Sequence, residues 1–331
     1  MYYSARQCLI FFAFILFLLF SKCSPIKEIE TETLQPAKVN FPEHFTRIAF
    51  LFSHPDNDFE LVEKESFKND ILKELKFGIA EITDNSPRFL PENILLFNLQ
   101  ELNLVDTTEN INTEKLLNLA DSLQVDGIIF LQRFSLDNRL KKESNSYEYV
   151  DEYYLNFKIT SKAKWKIFSR QKRKFIDSFV YSENYIWESL ANSRIRAIAD
   201  LPDYHDSFKE AAYWTGYDYA ERIFPIWNKN KRVYYARGND VMKMAHEKVE
   251  NNNWKEAIRI WKRNLTHPED EMVSRSAYNI AFAMEMMGKI DLAMKWAKKA
   301  YEINDKKRAM EYYKLLKQRK EELSKLENQL P

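Results

Sequence analysis

The sequence predicts an α/β domain followed by an all-α helical repeat, and three patterns support this prediction. Between Arg47 and Leu131, short apolar runs of strand length alternate with segments of helical periodicity. A segment of strict polar and apolar alternation follows, which predicts a long antiparallel hairpin on the same sheet. From Asn239 to Leu326 the periodicity is helical throughout. We therefore expect a two- or three-layer domain with a mixed sheet over residues 44–235, and a helical domain over residues 236–331.

The chain begins with the pattern of an export signal. Arg6 precedes an unbroken apolar run from Cys8 to Phe20, which is shorter than the roughly 20 residues that span a bilayer as a helix. The run and the Cys23 that follows it resemble bacterial lipoprotein signals. This resemblance implies that residues 1–22 are removed and that Cys23 becomes the acylated first residue. An uncleaved anchor and an ordinary cleaved signal are the alternatives.

Composition excludes several classes of function. The chain has two cysteines, Cys8 and Cys23, so removal of the signal leaves no pair for an internal disulfide. The net charge is +1, from 50 basic and 49 acidic residues, which argues against a general attraction to nucleic acid. The five glycines are scattered, whereas phosphate-binding loops need them clustered. We expect no cofactor and no nucleic-acid partner.

The elements of the first domain follow from the periodicity. Residues 23–43 alternate in charge and contain Pro36 and Pro42, so they are predicted to be a solvated tether. Strands are predicted at residues 47–52, 94–97 and 125–131, with helices starting near Ser66 and Thr113 between them. Strand–helix alternation of this kind predicts parallel pairing with right-handed crossovers.

The clearest β pattern follows these elements. Apolar residues occupy odd positions from Leu155 to Ile167, and lysines occupy many of the even ones, so one face is predicted to be core. A partner strand is predicted through Phe175 and Tyr181. The polar segment from Asp137 to Ser146 is predicted to be a surface loop. A helix over residues 207–223 is predicted to end at Pro225.

The helical segment contains an internal repeat. Ala257 and Ala293 lie 36 residues apart, and Ala245 and Ala281 hold matching positions in the preceding helices. The pattern resembles the tetratricopeptide repeat, a helix–turn–helix unit, although Asn252 stands where the first unit would carry glycine. The predicted packing residues are Ala245, Trp254, Ala257, Trp261, Ala281, Gly288, Ala293 and Ala300.

A wider resemblance comes from the order of elements between Arg47 and Tyr181. It is similar to the α/β domain of the curli-secretion lipoprotein and to the amino-terminal domain of the translocation protein TolB. The chain also resembles an uncharacterised Bacteroidota lipoprotein family that joins such a domain to tetratricopeptide-like helices. Pro36-Ala37, Arg47-Ile48-Ala49 and the segment from Tyr219 to Trp227 carry that resemblance. It implies a location and an architecture, and no catalytic residues.

The strongest local charge is a candidate binding surface, which comprises Lys158, Lys162, Lys164, Lys166, Arg170 and Lys172. It is interpreted either as a solvated face that protects a sheet edge or as a contact for anionic lipid or an acidic partner. The segment from His54 to Glu60 lacks the glycine and glutamate of a calcium loop and is predicted to be a surface turn. Asp203 to Asp206 is predicted to cap a helix. No metal site is predicted.

These patterns favour a non-enzymatic protein of the bacterial cell envelope. We expect a lipoprotein anchored to the outer membrane through Cys23 and facing the periplasm. Its helical tail would bind one or more envelope proteins, as an adaptor or assembly factor. The alternatives are a subunit of a secretion or envelope-transport complex, and an envelope enzyme without a recognisable motif.

Overall fold

The computed structural model of the protein describes residues 25–56, 64–99, 102, 113–147, 150–304 and 307–330, and only the backbone over 143–147 and 150–151. The predicted signal peptide and Cys23 lie outside these residues. The described residues form two compact units. The α/β unit comprises residues 34–227 and 326–330, and the helical unit comprises residues 25–33 and 228–325. No helix among the described residues is both long and apolar enough to cross a membrane.

The α/β unit is built on a five-stranded mixed sheet, as the sequence predicts. The strand order is β3-β2-β4-β5-β6. Strand β2 pairs in parallel with β3 and with β4, while β4, β5 and β6 pair antiparallel in a long meander. The chain's strands are β1 (Ile26–Gln35), β2 (Ile48–Phe52), β3 (Ile94–Asn98), β4 (Gly127–Tyr147), β5 (Val150–Ser169), β6 (Lys174–Ala191) and β7 (Ile226–Tyr235).

Helices cover both faces of the parallel part of this sheet. Helices α1 (Lys64–Thr83) and α4 (Tyr204–Ile223) pack on one face, and α2 (Thr113–Leu123) lies on the other. The residues of β2 are fully buried, because α1 and α4 cover one set of side chains and α2 covers the alternate set. A short 3-10 helix (Pro91–Asn93) precedes β3, and α3 (Arg194–Ala199) follows β6.

Two glycines allow α1 and α4 to approach each other closely. A Cβ atom at Gly78 would lie 2.0 Å from the carbonyl oxygen of Tyr213, and one at Gly216 would lie 2.1 Å from that of Leu75. Each glycine therefore faces the backbone of the other helix, where no side chain fits. This contact brings the two helices together on the sheet.

Strand β4 is longer than predicted. The segment from Asp137 to Ser146, predicted to be a surface loop, pairs residue for residue with β5 from Thr160 to Asp151. Its polar sequence carries no strand pattern. The register is instead propagated from the apolar part of the hairpin, since each further residue pair satisfies backbone hydrogen bonds.

The predicted tether is folded. Strand β1 pairs with β7 in a two-stranded ribbon that belongs to the helical unit, and Ile26 and Ile29 pack against the core of that unit. The following residues belong to the α/β unit, where Phe41 is buried and the amide of Lys38 donates to the carbonyl of Arg222 at 2.9 Å. The alternating charges predicted a solvated tether. They belong instead to strand β1, which is half-buried.

The helical unit begins before the predicted boundary at residue 236, because residues 228–235 of β7 belong to it. Two helical hairpins follow, joined by short turns, and a final long helix completes the unit. The helices are α5 (Asp240–Glu250), α6 (Trp254–Trp261), a 3-10 turn (Lys262–Thr266), α7 (Asp270–Met286), α8 (Ile290–Asn304) and α9 (Lys307–Glu327).

Candidate functional site

The structure has the predicted alternation of buried and more exposed residues along β5. Odd-numbered residues from Leu155 to Ile167 are buried, whereas Lys162 is exposed and the lysines at 158, 164 and 166 are half-buried on the opposite face. A strand rises about 3.3 Å per residue, so the run from Lys158 to Lys166 extends over about 26 Å. The even positions therefore form a continuous lysine-rich row.

Neighbouring strands extend this row into a surface. The register places Arg133 beside Lys164 and Arg139 beside Lys158. We call this surface the basic face; its cations are Arg133, Arg139, Lys141, Lys158, Lys162, Lys164 and Lys166. Among side chains that the structure describes, the carboxylates on the same face are Asp137, Glu152 and Glu188. The surface is therefore strongly positive although the whole chain is nearly neutral.

Asp137 and Glu188 already have partners. Lys162 Nζ lies 3.1 Å from Asp137 Oδ2, and Glu188 accepts hydrogen bonds from Tyr154 and Asn156. Lys166 lies over the ring of Phe175 at 4.8 Å. Burial lowers the pKa of Lys166, and repulsion from Lys164 lowers it further. An acidic ligand on this face would relieve such repulsion between neighbouring cations.

Apolar side chains border the basic face along β6. Val180 pairs with Lys164, Ile186 with Lys158 and Leu190 with Tyr154. These three aliphatic side chains are 66%, 52% and 64% exposed. The surface thus combines a positive centre with an apolar edge, which is a composition suited to a macromolecular partner.

The structure corrects the interpretation of the lysines as protection for a sheet edge. Strand β5 is central, between β4 and β6, so its lysines do not flank a free edge. The edge strand next to β5 is β6, and after Lys174 it contains no lysine, arginine or proline. Edge protection therefore does not explain the lysine row.

Two of the predicted contact residues lie apart from the basic face. Arg170 and Lys172 occupy the turn between β5 and β6, where Arg170 Nε lies 2.6 Å from Asp121 Oδ1 and the amide of Lys172 donates to Ser169 Oγ. Arg170 lines an open cleft of about 440 Å³ at the amino ends of β2 and β4. The cleft is also lined by His44, Leu117, Asp121, Asp126, Gln171 and Arg173.

Asp126 in this cleft has a structural role. Its Oδ2 accepts from the amides of Thr46 and Arg47 at 2.8 and 3.0 Å and from the hydroxyl of Thr46. Burial alone would raise the pKa of Asp126, but these hydrogen bonds, together with nearby His44, lower it overall. The carboxylate therefore fixes the entry to β2.

The segment after β2 is less exposed than the predicted surface turn. His54 is largely buried, with its Nδ1 3.2 Å from Glu65 Oε1 and its Nε2 without a partner among the described residues. Burial lowers the pKa of His54 and raises that of Asp56. The rest of the calcium-loop candidate, residues 57–60, lies outside the described residues. Within the described ranges, no group of three or more histidine, cysteine or acidic side chains could hold a metal ion.

The predicted cap is correct. Asp203 Oδ1 accepts from the amides of His205 and Asp206, at the start of α4. The His205 side chain packs against Phe67, with ring centroids 4.6 Å apart. His205 is therefore part of the packing at the beginning of this helix.

The predicted repeat residues lie in the helical core. Trp261 is fully buried, Trp254 is half-buried against Phe282, and Gly288 occupies the turn between α7 and α8. The alanines are fully buried, and they are Ala245, Ala257, Ala281, Ala293 and Ala300. Small side chains at these positions let neighbouring helices pack closely.

Sequence reasoning missed a buried polar network in the helical unit. Arg232 on β7 donates to both oxygens of Glu285 on α7 at 3.0–3.1 Å, and Tyr312 on α9 donates to the same carboxylate. Both members of the ion pair are less than 10% exposed. Asn279 on α7 accepts from the amide of Tyr235 and donates to its carbonyl. Strand β7 is thus held by its backbone and by a buried charge.

One signal in the sequence could have revealed this network. Helix α7 is apolar or small on nearly every side from Ala277 to Ala283, which predicts burial all round. Polar residues such as Asn279 and Glu285 in a buried helix need partners. The sequence does not say that those partners come from β7.

Two family models match parts of the chain, and both are described as domains of unknown function. The first, DUF8603, matches residues 81–235, and the second, DUF6340, matches residues 243–325. Each covers less than half of the chain. No curated protein has a sequence that matches this one.

Several solved bacterial proteins have a distantly similar fold. A neuraminyllactose-binding hemagglutinin homologue from Helicobacter pylori is 8% identical with a TM-score of 0.30, over 64% of this chain and 92% of that one. A minor lipoprotein from Acinetobacter baumannii is 10% identical with a TM-score of 0.21, over 54% and 96%. Lipoprotein GNA1162 from Neisseria meningitidis is 6% identical with a TM-score of 0.23, over 51% and 95%. Likeness at this level carries no argument about function.

Proposed function

We propose that this protein is a lipid-anchored adaptor of the bacterial cell envelope, without enzymatic activity, that binds an acidic protein through its basic face. The observation that carries the binding role is the excess of cations on the open side of β4, β5 and β6, bordered by exposed aliphatic side chains. Charge complementarity of this kind selects acidic partners and speeds their association.

The location rests on the sequence. The apolar run from Cys8 to Phe20 and the cysteine at position 23 support export and acylation at Cys23, with the mature protein at the outer membrane facing the periplasm. Replacement of Cys23 by serine would then abolish fatty-acid labelling and release the protein from the membrane fraction. Retention of the variant in the membrane would mean that the apolar run itself is the anchor.

The helical unit supports a tetratricopeptide-like architecture, through the 36-residue offset of its buried alanines. Binding of a partner by this unit, which we expected from the sequence, stays a prediction. The first helices of both hairpins contact β7, since Tyr234 stacks on Phe282 of α7 at 5.3 Å and bonds to His246 of α5. We propose the basic face as the principal binding surface, because the contacts observed for these two helices serve to hold β7 in place.

Cross-linking with a carbodiimide tests the binding role. This reagent joins a lysine amine to a carboxylate in direct contact, so an acidic partner in intact envelopes would be linked to Lys158, Lys162 or Lys164. A variant with Lys158, Lys162 and Lys164 changed to Gln would lose these products. The matched control changes three exposed lysines of the helical unit, Lys255, Lys262 and Lys295, to Gln. The control removes the same charge and would keep the products.

Two outcomes would overturn the proposal. Equal loss of cross-links in both variants would show that only net charge matters. Loss of binding to vesicles of anionic lipid, without any lost protein cross-link, would make the basic face a membrane contact. Both variants are expected to fold normally, because the substituted lysines are exposed or half-buried and none belongs to a hydrophobic core.

A further inference from the structure

We infer that the end of the helical unit formed by Pro25 and the Ala236–Gly238 segment lies at the membrane surface, because the chain passes from the acylated cysteine directly into strand β1. This inference rests on the acylation of Cys23 in the proposed function. It replaces the picture of a protein on a long flexible tether. The partner of this surface is the headgroup region of the lipid bilayer.

The first described residues are attached firmly to the helical unit. The carbonyl of Pro25 accepts from the amides of Ala236 and Arg237 at 2.9 and 3.2 Å. Further along, the side chain of Thr31 donates to the carbonyl of Asn230, so β1 and β7 run antiparallel. The ribbon is therefore paired from its first residue.

Side chains reinforce this attachment. Lys27 forms an ion pair with Glu250 at the end of α5, and Lys231 pairs with Glu28 across the ribbon. On the inner side, Arg232 is bound to Glu285 in the core. Freeing β1 as a tether would break the ribbon and expose Ile26 and Ile29, which pack against the helical core.

The number of residues between Cys23 and Pro25 limits how far the ribbon can lie from the membrane. Only Ser24 separates Cys23 from Pro25, and an extended chain covers at most about 3.6 Å per residue. The backbone of Pro25 is therefore within about 7 Å of the acylated residue. Since the acyl chains are inserted in the bilayer, the beginning of the ribbon is held at the interface.

The side chains around this end suit a lipid surface. Arg237 is exposed, and the guanidinium groups of Arg275 and Arg308 lie 5.1 and 5.8 Å from the ring of Tyr235. Arg275 also pairs with Glu271 at 2.6 Å. Guanidinium groups can form paired hydrogen bonds with phosphate oxygens, which lipid headgroups supply.

Two reporter positions on β7 and its continuation test the inference. After signal removal and acylation the mature chain has no free thiol, so Arg237→Cys and Lys229→Cys each introduce one labelling site. Both residues are exposed in the helical unit, and about 26 Å of extended chain separates them. The lipidated variants would carry a fluorophore and be placed in vesicles that contain lipids spin-labelled at the headgroup.

We expect several-fold stronger quenching of the label at 237 than of the label at 229. Insertion of a twelve-residue Gly-Ser linker between Ser24 and Pro25 would reduce the difference, because such a linker spans roughly 20 Å. Equal quenching at both positions, or a difference that the linker leaves unchanged, would overturn the inference. The intact mass of each protein reports acylation separately, so an unmodified Cys23 would instead refute the proposed anchor.

Discussion

Asn252 and Gly288 occupy equivalent turns in the two helical hairpins, and both adopt the left-handed conformation. Their φ angles are +54° and +70°, and they lie 36 residues apart, the same offset that relates Ala257 to Ala293. The turn geometry of the repeat is therefore kept where glycine is replaced by asparagine. Asparagine tolerates this conformation better than other residues with a side chain.

The first prediction concerns these two turns. A Cβ atom at Gly288 would meet nothing within 4 Å, so Gly288→Ala tests the backbone conformation alone. We expect it to lower the free energy of unfolding of the helical unit by about 1–2 kcal/mol. Asn252→Gly is expected to be neutral or slightly stabilising. Urea unfolding followed by circular dichroism measures both, and equal effects of the two changes would contradict the assignment.

A second prediction concerns the contact between α1 and α4. Gly78→Ala and Gly216→Ala each place a methyl group against the backbone of the other helix, at distances near 2 Å. The helices must separate, at a cost of about 1–3 kcal/mol or more. Asn69→Ala on the exposed side of α1 is the control, and it should change stability by no more than about 0.5 kcal/mol. Normal thermal stability of both glycine variants would show that the contact is looser than described.

The third prediction concerns the buried ion pair. Glu285→Gln leaves the guanidinium of Arg232 without its counter-charge in the core, which should cost about 3–5 kcal/mol. The double variant Arg232→Met/Glu285→Met removes both charges and should recover much of this loss. A double-mutant cycle from chemical unfolding, with the single variants Arg232→Met and Glu285→Met, gives the coupling energy. Additive effects of the two single changes would mean that the pair is not coupled.

A fourth prediction concerns pH. Burial lowers the pKa of His54 below its ordinary value of 6.5, and Lys68 and Lys76 act in the same direction, against the opposing effect of Glu65. The unfolded chain therefore binds a proton at His54 at a higher pH than the folded protein does. Stability contributed by neutral His54 is complete above pH 6.5 and falls as the pH drops from there toward the folded pKa.

Unfolding midpoints measured at pH 7.5 and 5.5 test the predicted direction of the change in stability. The wild-type protein should lose more stability between these values than His54→Asn, which has no imidazole to protonate. A larger loss in the variant would show that the folded protein stabilises the charged form of His54.

Much of the fold follows from local patterns. The alternation in β5, the helical periodicity near Ile71 and Ile79, and the offset of Ala257 and Ala293 all predicted the elements that the structure contains. These signals are local, because a strand or helix with one buried face repeats its apolar residues with a fixed period. The lysine-rich face of β5 was found in the same way.

The sequence by itself determined the type and order of most elements, the buried face of β5 and the repeat in the helices. Tertiary structure alone decided that β1 pairs with β7, that β4 continues through a polar segment, and that β5 is central in the sheet. It also decided that Arg232 forms an ion pair with Glu285. Such pairings join residues far apart in the chain, and their energy depends on register and on shared burial. Periodicity records which side of an element is buried, but not which distant element covers it.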